Sequence, residues 1–241
     1  MIRWFSRGAV TAGVMPASGC CRNDQHPFSR AVTDGLVGKG TPTVIAIQNI
    51  QATFSEYRPE IIRTKPDKRA AVALIVDSSH SQHDPEIVFI ERAFHAADPW
   101  SGQMAFPGGR CDPQDLSPLE TACRETQEEI GVDLLVAYRL GRLDDLQGRH
   151  GGRSRDMVIS CFVFGTHGVD RFSPNHEVAD VITLPISTLL DPSTQTEVPW
   201  PQAGRVFPGI WVGAGDRVIW GLTYRFLLRF FSLLGHFLPA D

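Results

Sequence analysis

Three glutamates near the middle of the chain have the side-chain type and the spacing that could hold a metal ion. On a helix, Glu125, Glu128 and Glu129 would project within an arc of roughly 100°. Carboxylates this close repel one another unless a cation sits among them. Their oxygens are hard ligands that suit Mg²⁺ or Mn²⁺, so the cluster predicts a divalent-metal site.

The residues around the cluster predict that helix. Ser117 can cap its first turn, Pro118 suits the first helical position, and Glu120 completes a capping box. Gly131 is expected to end the helix. A buried face is predicted on another side from the glutamates, at Leu119, Ala122, Cys123, Thr126 and Ile130.

The turn before the helix could bring bare backbone to the glutamates. It spans residues 106–109, where Gly108 and Gly109 would let a phosphate or a metal approach the main chain. Arg124 lies one helical turn before Glu128 and can hold that carboxylate in place.

An acidic helix alone is usually only a solvated surface, but the whole string is more specific. Gly109 and residues 124–132 resemble the signature of the Nudix hydrolase family. Thr126 departs from it, because a small and half-polar residue stands where an apolar one is usual. Asp115 stands close to where the signature has its first glutamate, and Glu120 is the alternative, although capping is the simpler role for Glu120.

One branch of that family resembles the chain more closely. The loop before the helix is one residue longer than in the general signature, as in the coenzyme A pyrophosphatase branch. This branch also shares the string at residues 102–109 and the loop at residues 112–115. A Trp-Gly pair at residues 220–221 is similar to its final helix.

The resemblance implies a fold, a reaction and a set of site residues. The fold would be an α/β (α+β) sandwich with a mixed β-sheet between helices, and the reaction would hydrolyse a diphosphate linked to a nucleoside. The metal, Mg²⁺ or Mn²⁺, would be held by Glu125, Glu128, Glu129 and the Gly109 carbonyl. Catalytic roles would belong to Glu128, Arg124 and Glu177. Glu177 would serve as an extra ligand or a base, with a merely solvated glutamate as the alternative. Substrate contacts are expected from Arg92, Gln103, Phe106, Gly108 and Gly109.

The favoured substrate is coenzyme A or an acyl-coenzyme A, cleaved to 3′,5′-ADP and phosphopantetheine or its acyl form. The branch usually carries an Arg and a His shortly before its Gly-Gln, whereas this chain has Asp-Pro-Trp-Ser at residues 98–101. ADP-ribose or another nucleoside diphosphate derivative therefore stays open. Trp100 could stack on adenine or simply pack, and the basic loop at residues 149–155 could contact a phosphate or be solvated. A non-catalytic binding module is the third hypothesis, and the presence of all three glutamates counts against it.

Composition and charge limit which other classes of function are compatible with the chain. The chain has 241 residues, 42% of them hydrophobic and 21% charged, enough for one sizeable folded domain. A net charge of −4 gives no basic field for nucleic acid. The five cysteines show no paired metal-ligand spacing, which suits a reducing compartment such as the cytoplasm. The family resemblance implies a small nucleotide as the partner, and a homodimer is left open.

The hydrophobic pattern predicts the remaining elements. Helices are expected at residues 41–57, 186–190 and 218–234, and strands at residues 70–76, 87–90, 136–146, 157–166, 181–184 and 210–212. Residues 1–40 are expected to be a disordered or wrongly extended N-terminus rather than a targeting segment, which leaves residues 41–238 as the hydrolase domain. The segment at residues 218–234 is long and apolar enough for a membrane-spanning helix to be considered. Arg225 and Arg229 instead favour a buried closing helix, because charges inside a membrane span are costly.

Overall fold

The computed structural model describes residues 44–65, 68–95, 100–150, 154–169, 171–200, 204–213 and 215–240. The expectations for residues 1–40 lie outside this described part. In chain order the elements are α1 (Ile47–Glu56), β1 (Arg69–Asp77), β2 (Glu86–Arg92), β3 (Met104–Ala105), β4 (Gly108–Arg110), α2 (Pro118–Ile130), β5 (Tyr138–Arg142), β6 (Leu146–His150), β7 (Ser154–Thr166), β8 (Val178–Pro185), α3 (Ile186–Leu190), a 3₁₀ turn (Pro192–Thr194), β9 (Gln195–Trp200), β10 (Arg205–Trp211), β11 (Val218–Trp220) and α4 (Gly221–Leu233).

The larger sheet is built around β1. Strand β7 pairs with β1 in parallel along one edge, while β2 and β4 pair antiparallel with the two halves of its other edge. Strands β3 and β8 extend the sheet from β2, and β5 and β6 extend it from β7. A strand covered on both faces is apolar on both, which explains why β1 is a nearly uninterrupted apolar run.

Side chains of β1 alternate between two cores. Leu74 and Val76 belong to the core that includes buried residues of α1, α3 and α4. Ala73 and Ile75 belong to the core that includes Ala122 and Ile130 of α2. The predicted fold class, a mixed sheet between helices, is therefore confirmed, and α2 lies alone among the helices on its face of the described sheet.

The single strand predicted at residues 136–146 is wrong, because β5 ends at Arg142 and β6 begins at Leu146. The strand is interrupted because Asp144 and Asp145 accept hydrogen bonds from the segment that follows α1. Asp144 Oδ1 accepts a hydrogen bond from the Glu60 N–H at 2.8 Å, and Asp145 Oδ2 accepts one from the Ile62 N–H at 2.9 Å.

Two helices begin later than predicted. Helix α1 begins at Ile47, whose N–H donates to the Gln82 carbonyl at 2.9 Å. The closing helix begins at Gly221, because residues 218–220 form β11 instead and pair with β10. Gly221 has a φ of +63°, which lets the chain turn from strand into helix at little steric cost.

A second, three-stranded sheet joins the larger one near the glycine turn. Its strands run in the order β11–β10–β9. Arg217, just before β11, reaches Glu91 at 2.7 Å and Asp180 at 2.8 Å, and these two acidic residues face each other across β2 and β8. Thr223 Oγ1 donates to the Met104 carbonyl at 3.2 Å.

None of the described helices combines the length and the apolar composition needed to cross a membrane.

Candidate active site

The helix that carries the glutamates begins and ends where its sequence predicts. Ser117 Oγ accepts a hydrogen bond from the Glu120 N–H at 3.2 Å, and Glu120 Oε2 accepts one from the Leu116 N–H at 2.6 Å. Glu120 therefore closes the cap one residue earlier than in the usual capping box. Gly131 follows the last turn with a φ of +73°, which residues with a side chain rarely adopt.

Two of the three glutamates are buried, which the helical pattern did not predict. Glu125 and Glu129 are 1% and 2% exposed, whereas the Glu128 side chain is 38% exposed. Leu119 and Cys123, expected on the buried face, are only half-buried. The buried face of α2 is therefore rotated towards the glutamates.

The glycine turn causes this burial, because its backbone packs directly on the carboxyl groups. The Gly108 N–H donates to Glu129 Oε2 at 2.8 Å. A Cβ on Gly109 would lie 2.5 Å from Glu125 Cδ, so only glycine leaves room for that carboxyl group. At Gly108, a Cβ would lie 2.3 Å from the Ala71 carbonyl oxygen and the φ is +148°. Both glycines are thus required by the close approach of the turn to its neighbours.

Arg124 joins the loop before the helix to the glutamates. Its Nε and Nη2 donate to Asp115 Oδ1 and Oδ2 at 2.9 and 2.8 Å. Its Nη1 lies 2.9 Å from Glu125 Oε1 and 3.5 Å from Glu128 Oε1. The contact expected between Arg124 and Glu128 is present, but Asp115 is the main partner of the guanidinium. Thr121 Oγ1 donates to Asp115 Oδ2 at 2.8 Å and helps to hold it.

The carboxyl groups of the site differ in acidity. Burial raises the pKa of Glu125 to about 7, against the opposing effect of Arg124. Burial likewise raises the pKa of Glu129 to about 8. The negative charge of Glu177 raises both pKa values further. The hydrogen bond from Arg124 instead lowers the pKa of Asp115 to about 2. Ionising the two buried glutamates is thus costly unless a cation lies nearby.

Glu177 reaches this site through the loop that precedes β8. Its carbonyl accepts a hydrogen bond from the Ala93 N–H at 2.8 Å, and its N–H donates to Asn175 Oδ1 at 2.8 Å. The Asn175 N–H donates to the Glu129 carbonyl at 2.9 Å. Glu177 therefore lies at the end of α2 that carries Glu129. Sequence reasoning overlooked Asn175.

The residues predicted to bind substrate fall into two groups. Arg92 ends β2, and its positive charge lowers the pKa of Glu129, against the larger effect of burial. Gln103 lies beside it, since its carbonyl accepts from the Arg92 N–H at 3.1 Å. Phe106 instead lies in the core, 3% exposed, with its ring stacked on Phe89 at a centroid distance of 5.3 Å. The structure does not present Phe106 to a substrate, and its ring anchors the glycine turn.

Two further predicted contacts are described only in part. Trp100 is half-buried, and residues 96–99 before it lie outside the described part of the chain. The basic loop joins β6 to β7, and its residues 151–153 also lie outside.

Glu125 carries the strongest indication of a bound cation. Both of its carboxylate oxygens are buried, and neither accepts a hydrogen bond of normal geometry from the described residues, although Arg124 Nη1 lies 2.9 Å away. Buried carboxylate oxygens are normally paired, and a hard divalent cation would pair these. Glu128, Glu129 and the Gly109 carbonyl add oxygen donors, so the donor set fits Mg²⁺ or Mn²⁺. As the side chains stand, no three acidic, histidine or cysteine residues in the described part are grouped closely enough to hold a metal.

Comparison with known proteins identifies the relatives of this chain. The NUDIX domain model matches residues 67–202. The chain is 33% identical over 167 residues to the uncharacterized protein C14C4.10c of Schizosaccharomyces pombe, which covers 60% of this chain and 50% of that protein. It is 28% identical over 164 residues to the mitochondrial coenzyme A diphosphatase NUDT8 of Mus musculus, covering 67% of this chain and 75% of that protein. It thus spans half the length of the first relative and three quarters of the second.

Among solved structures, a MutT/nudix family protein from Enterococcus faecalis is similar in fold. The superposition has a TM-score of 0.48 and 12% sequence identity, and it covers 78% of this chain and 69% of that one.

Proposed function

The chain belongs to the NUDIX family of pyrophosphohydrolases, and from this premise we propose that it hydrolyses the diphosphate of coenzyme A or an acyl-coenzyme A. Divalent-metal dependence is general in that family. Within the proposal, the ion is Mg²⁺ or Mn²⁺ and its ligands come from Glu125, Glu128, Glu129 and the Gly109 carbonyl.

One observation carries the proposed reaction. The Glu125 carboxylate is buried beside Gly109, where Arg124 Nη1 lies 2.9 Å from Oε1 and no described residue donates to Oε2. A purely structural glutamate in such a place would be costly. It becomes favourable when a cation shared with a phosphate substrate occupies the site, which supports a hydrolase rather than a binding module that has lost its metal.

The proposed hydrolysis breaks one bridging P–O bond. The oxygen of a water molecule bonds to that phosphorus, the bridging oxygen leaves with the other phosphate, and one proton is released. A bound divalent cation would neutralise the diphosphate charge and make water a better nucleophile. Two hydrogen bonds to Asp115 hold the Arg124 guanidinium beside the glutamates. Glu177, whose charge acts on Glu125 and Glu129, is the candidate to accept the proton.

The substrate assignment depends on residues 102–109, on the long loop at residues 112–115, and on the similarity to the mouse coenzyme A diphosphatase. The altered loop at residues 98–101 favours the second candidate, ADP-ribose or another nucleoside diphosphate derivative. With coenzyme A as substrate, the products would be 3′,5′-ADP and phosphopantetheine.

We further propose a cytoplasmic location, because free Cys111, Cys123 and Cys161 suit a reducing compartment.

A substrate panel tests the proposal. We would measure kcat/KM for coenzyme A, dephospho-coenzyme A and ADP-ribose with one metal, and identify the products by mass spectrometry. The 3′-phosphate should add about 1.5–3 kcal/mol, so kcat/KM for coenzyme A should exceed that for its dephospho form by about 10- to 150-fold. Preference for ADP-ribose would reject the coenzyme A branch. Turnover of none of the three, with metal binding intact, would favour a binding module.

A further inference from the structure

The loop before β8 closes the C-terminal end of α2. The Ser173 N–H donates to the Ile130 carbonyl at 2.8 Å, and the Asn175 N–H donates to the Glu129 carbonyl at 2.9 Å. The last four carbonyls of a helix lack intrahelical partners. Backbone N–H groups of this loop supply hydrogen bonds to two of those carbonyls. Its position is therefore tied to the end of the helix that carries the glutamates.

The Asn175 side chain connects this loop contact to the backbone of Glu177. Its Oδ1 accepts a hydrogen bond from the Glu177 N–H at 2.8 Å. On the other side, the Glu177 carbonyl accepts one from the Ala93 N–H at 2.8 Å. The backbone of Glu177 is thus held from both directions, on one side by the end of β2 and on the other by α2 through Asn175.

The backbone of Glu177 determines where a fourth negative charge lies relative to α2. Glu177 acts electrostatically on both buried glutamates, Glu125 and Glu129. Its own side chain is 28% exposed, so it remains open to a substrate or to water. A small shift of the loop would move this carboxylate relative to the other two.

We propose that Asn175 is a positioning residue for diphosphate hydrolysis, which fixes the Glu177 carboxylate relative to Glu125 and Glu129. This role depends on the proposed function. Asparagine suits it because its side chain bonds the backbone two residues further on and carries no charge. An aspartate would make the same contact but would add a negative charge two residues from Glu177.

The test is a double-mutant cycle with Asn175→Ala and Glu177→Gln. Misplacing a reacting group by about 1 Å can cost up to about 100-fold in rate. We expect Asn175→Ala to lower kcat by about tenfold or more and to change KM by less than about threefold. In the Glu177→Gln background the same substitution should cause no further loss, because residues that act through one another are not additive. Asn175→Ser, whose hydroxyl can make the same contact more weakly, should restore part of kcat.

A readout independent of turnover is amide hydrogen exchange in the metal-free protein. The Glu177 amide should exchange faster in Asn175→Ala than in the wild-type protein, and Asn175→Ser should restore part of the protection. Asp191→Ala is the matched control, because Asp191 Oδ1 makes the same contact to the N–H two residues on, at 2.8 Å, in an exposed turn after α3. This control should leave kcat unchanged.

The outcomes separate this inference from the proposed function. An equal loss of kcat in both backgrounds, or no loss at all, would overturn the role of Asn175 while leaving the hydrolase standing. A wild-type protein that cleaves no diphosphate substrate would overturn the proposed function and this role together. If Asn175→Ala does not fold, the same cycle run with Asn175→Ser decides between these outcomes.

Discussion

Asp115 and Arg124 form a two-pronged ion pair, with Nε 2.9 Å from Oδ1 and Nη2 2.8 Å from Oδ2. This geometry fixes the plane of the guanidinium. The remaining nitrogen, Nη1, then faces Glu125 and Glu128. The loop before α2 therefore sets the orientation of the guanidinium that flanks the proposed metal ligands.

Asp115→Asn should weaken both the fold and the reaction. The substitution places an amide group against the guanidinium where a buried carboxylate stood, so we expect a loss of about 1.5–3 kcal/mol in the free energy of unfolding. A fall in kcat should accompany it, because Arg124 is released. Urea unfolding and steady-state kinetics measure the two effects. Asp112→Asn in the same loop, exposed and still able to accept from the Gln114 N–H, is the control, and an equal effect there would contradict the role of the pair.

Gly109→Ala should displace the Glu125 carboxylate. The new Cβ would lie 2.5 Å from Glu125 Cδ, and overpacking of this kind costs about 1–3 kcal/mol. We expect lower stability and weaker Mg²⁺ binding, measured by thermal unfolding and calorimetry.

The same clash can be relieved from the other side. Glu125→Ala removes the group that Gly109→Ala would strike, so the double variant should lose less stability than the sum of the two single changes. Additive losses would show that the steric conflict lies elsewhere.

The elements predicted well are those whose pattern is local or whose two faces are both covered. The apolar run of β1 and the capped helix α2 needed no knowledge of their partners. Strand β9 was missed because half of its residues are polar and it contains Pro199, and only its pairing with β10 makes it a strand. The strand predicted at residues 136–146 was divided for a similar reason, since Asp144 and Asp145 bond to a distant segment.

At the site, spacing along α2 predicted that three glutamates project from one side of the helix, but it did not predict that two of them are buried. Burial depends on the antiparallel register of Gly109 with Ala71, which brings the glycine turn onto Glu125 and Glu129. The contact of Asn175 with Glu129 likewise joins residues far apart in the chain. The spacing of residues along a helix does not predict either of these long-range contacts.

Glu128→Gln and Glu120→Gln should separate chemistry from stability within one helix. Glu128 is the exposed member of the cluster, so losing its charge should spare the fold. We expect kcat to fall by about 10²–10³-fold, the scale of a lost electrostatic contact at a reacting group. Glu120 bonds the Leu116 N–H, and its substitution should cost about 1 kcal/mol or less with little change in kcat. Loss of turnover in a folded Glu120→Gln protein would show that the roles of the glutamates are assigned wrongly.

The metal-free protein should lose stability as pH rises. Burial raises the pKa of Glu125 to about 7 and that of Glu129 to about 8, from the 4.5 of an unperturbed glutamate. Between pH 4.5 and these values the folded state binds more protons than the unfolded state, so the free energy of unfolding falls as pH increases. The stabilisation is complete below the unfolded pKa and is lost as pH passes the folded values.

A divalent cation should reverse this trend, because metal competes with protons for the same oxygens and binds only the folded site. We expect the thermal midpoint in chelator to fall between about pH 5.5 and about pH 8.5, and the increase caused by Mg²⁺ to grow over the same range. The Glu125→Gln, Glu129→Gln double variant is the control and should flatten both responses. A midpoint that rises with pH in chelator would contradict the burial of these two charges, and with it the reason for expecting a metal between them.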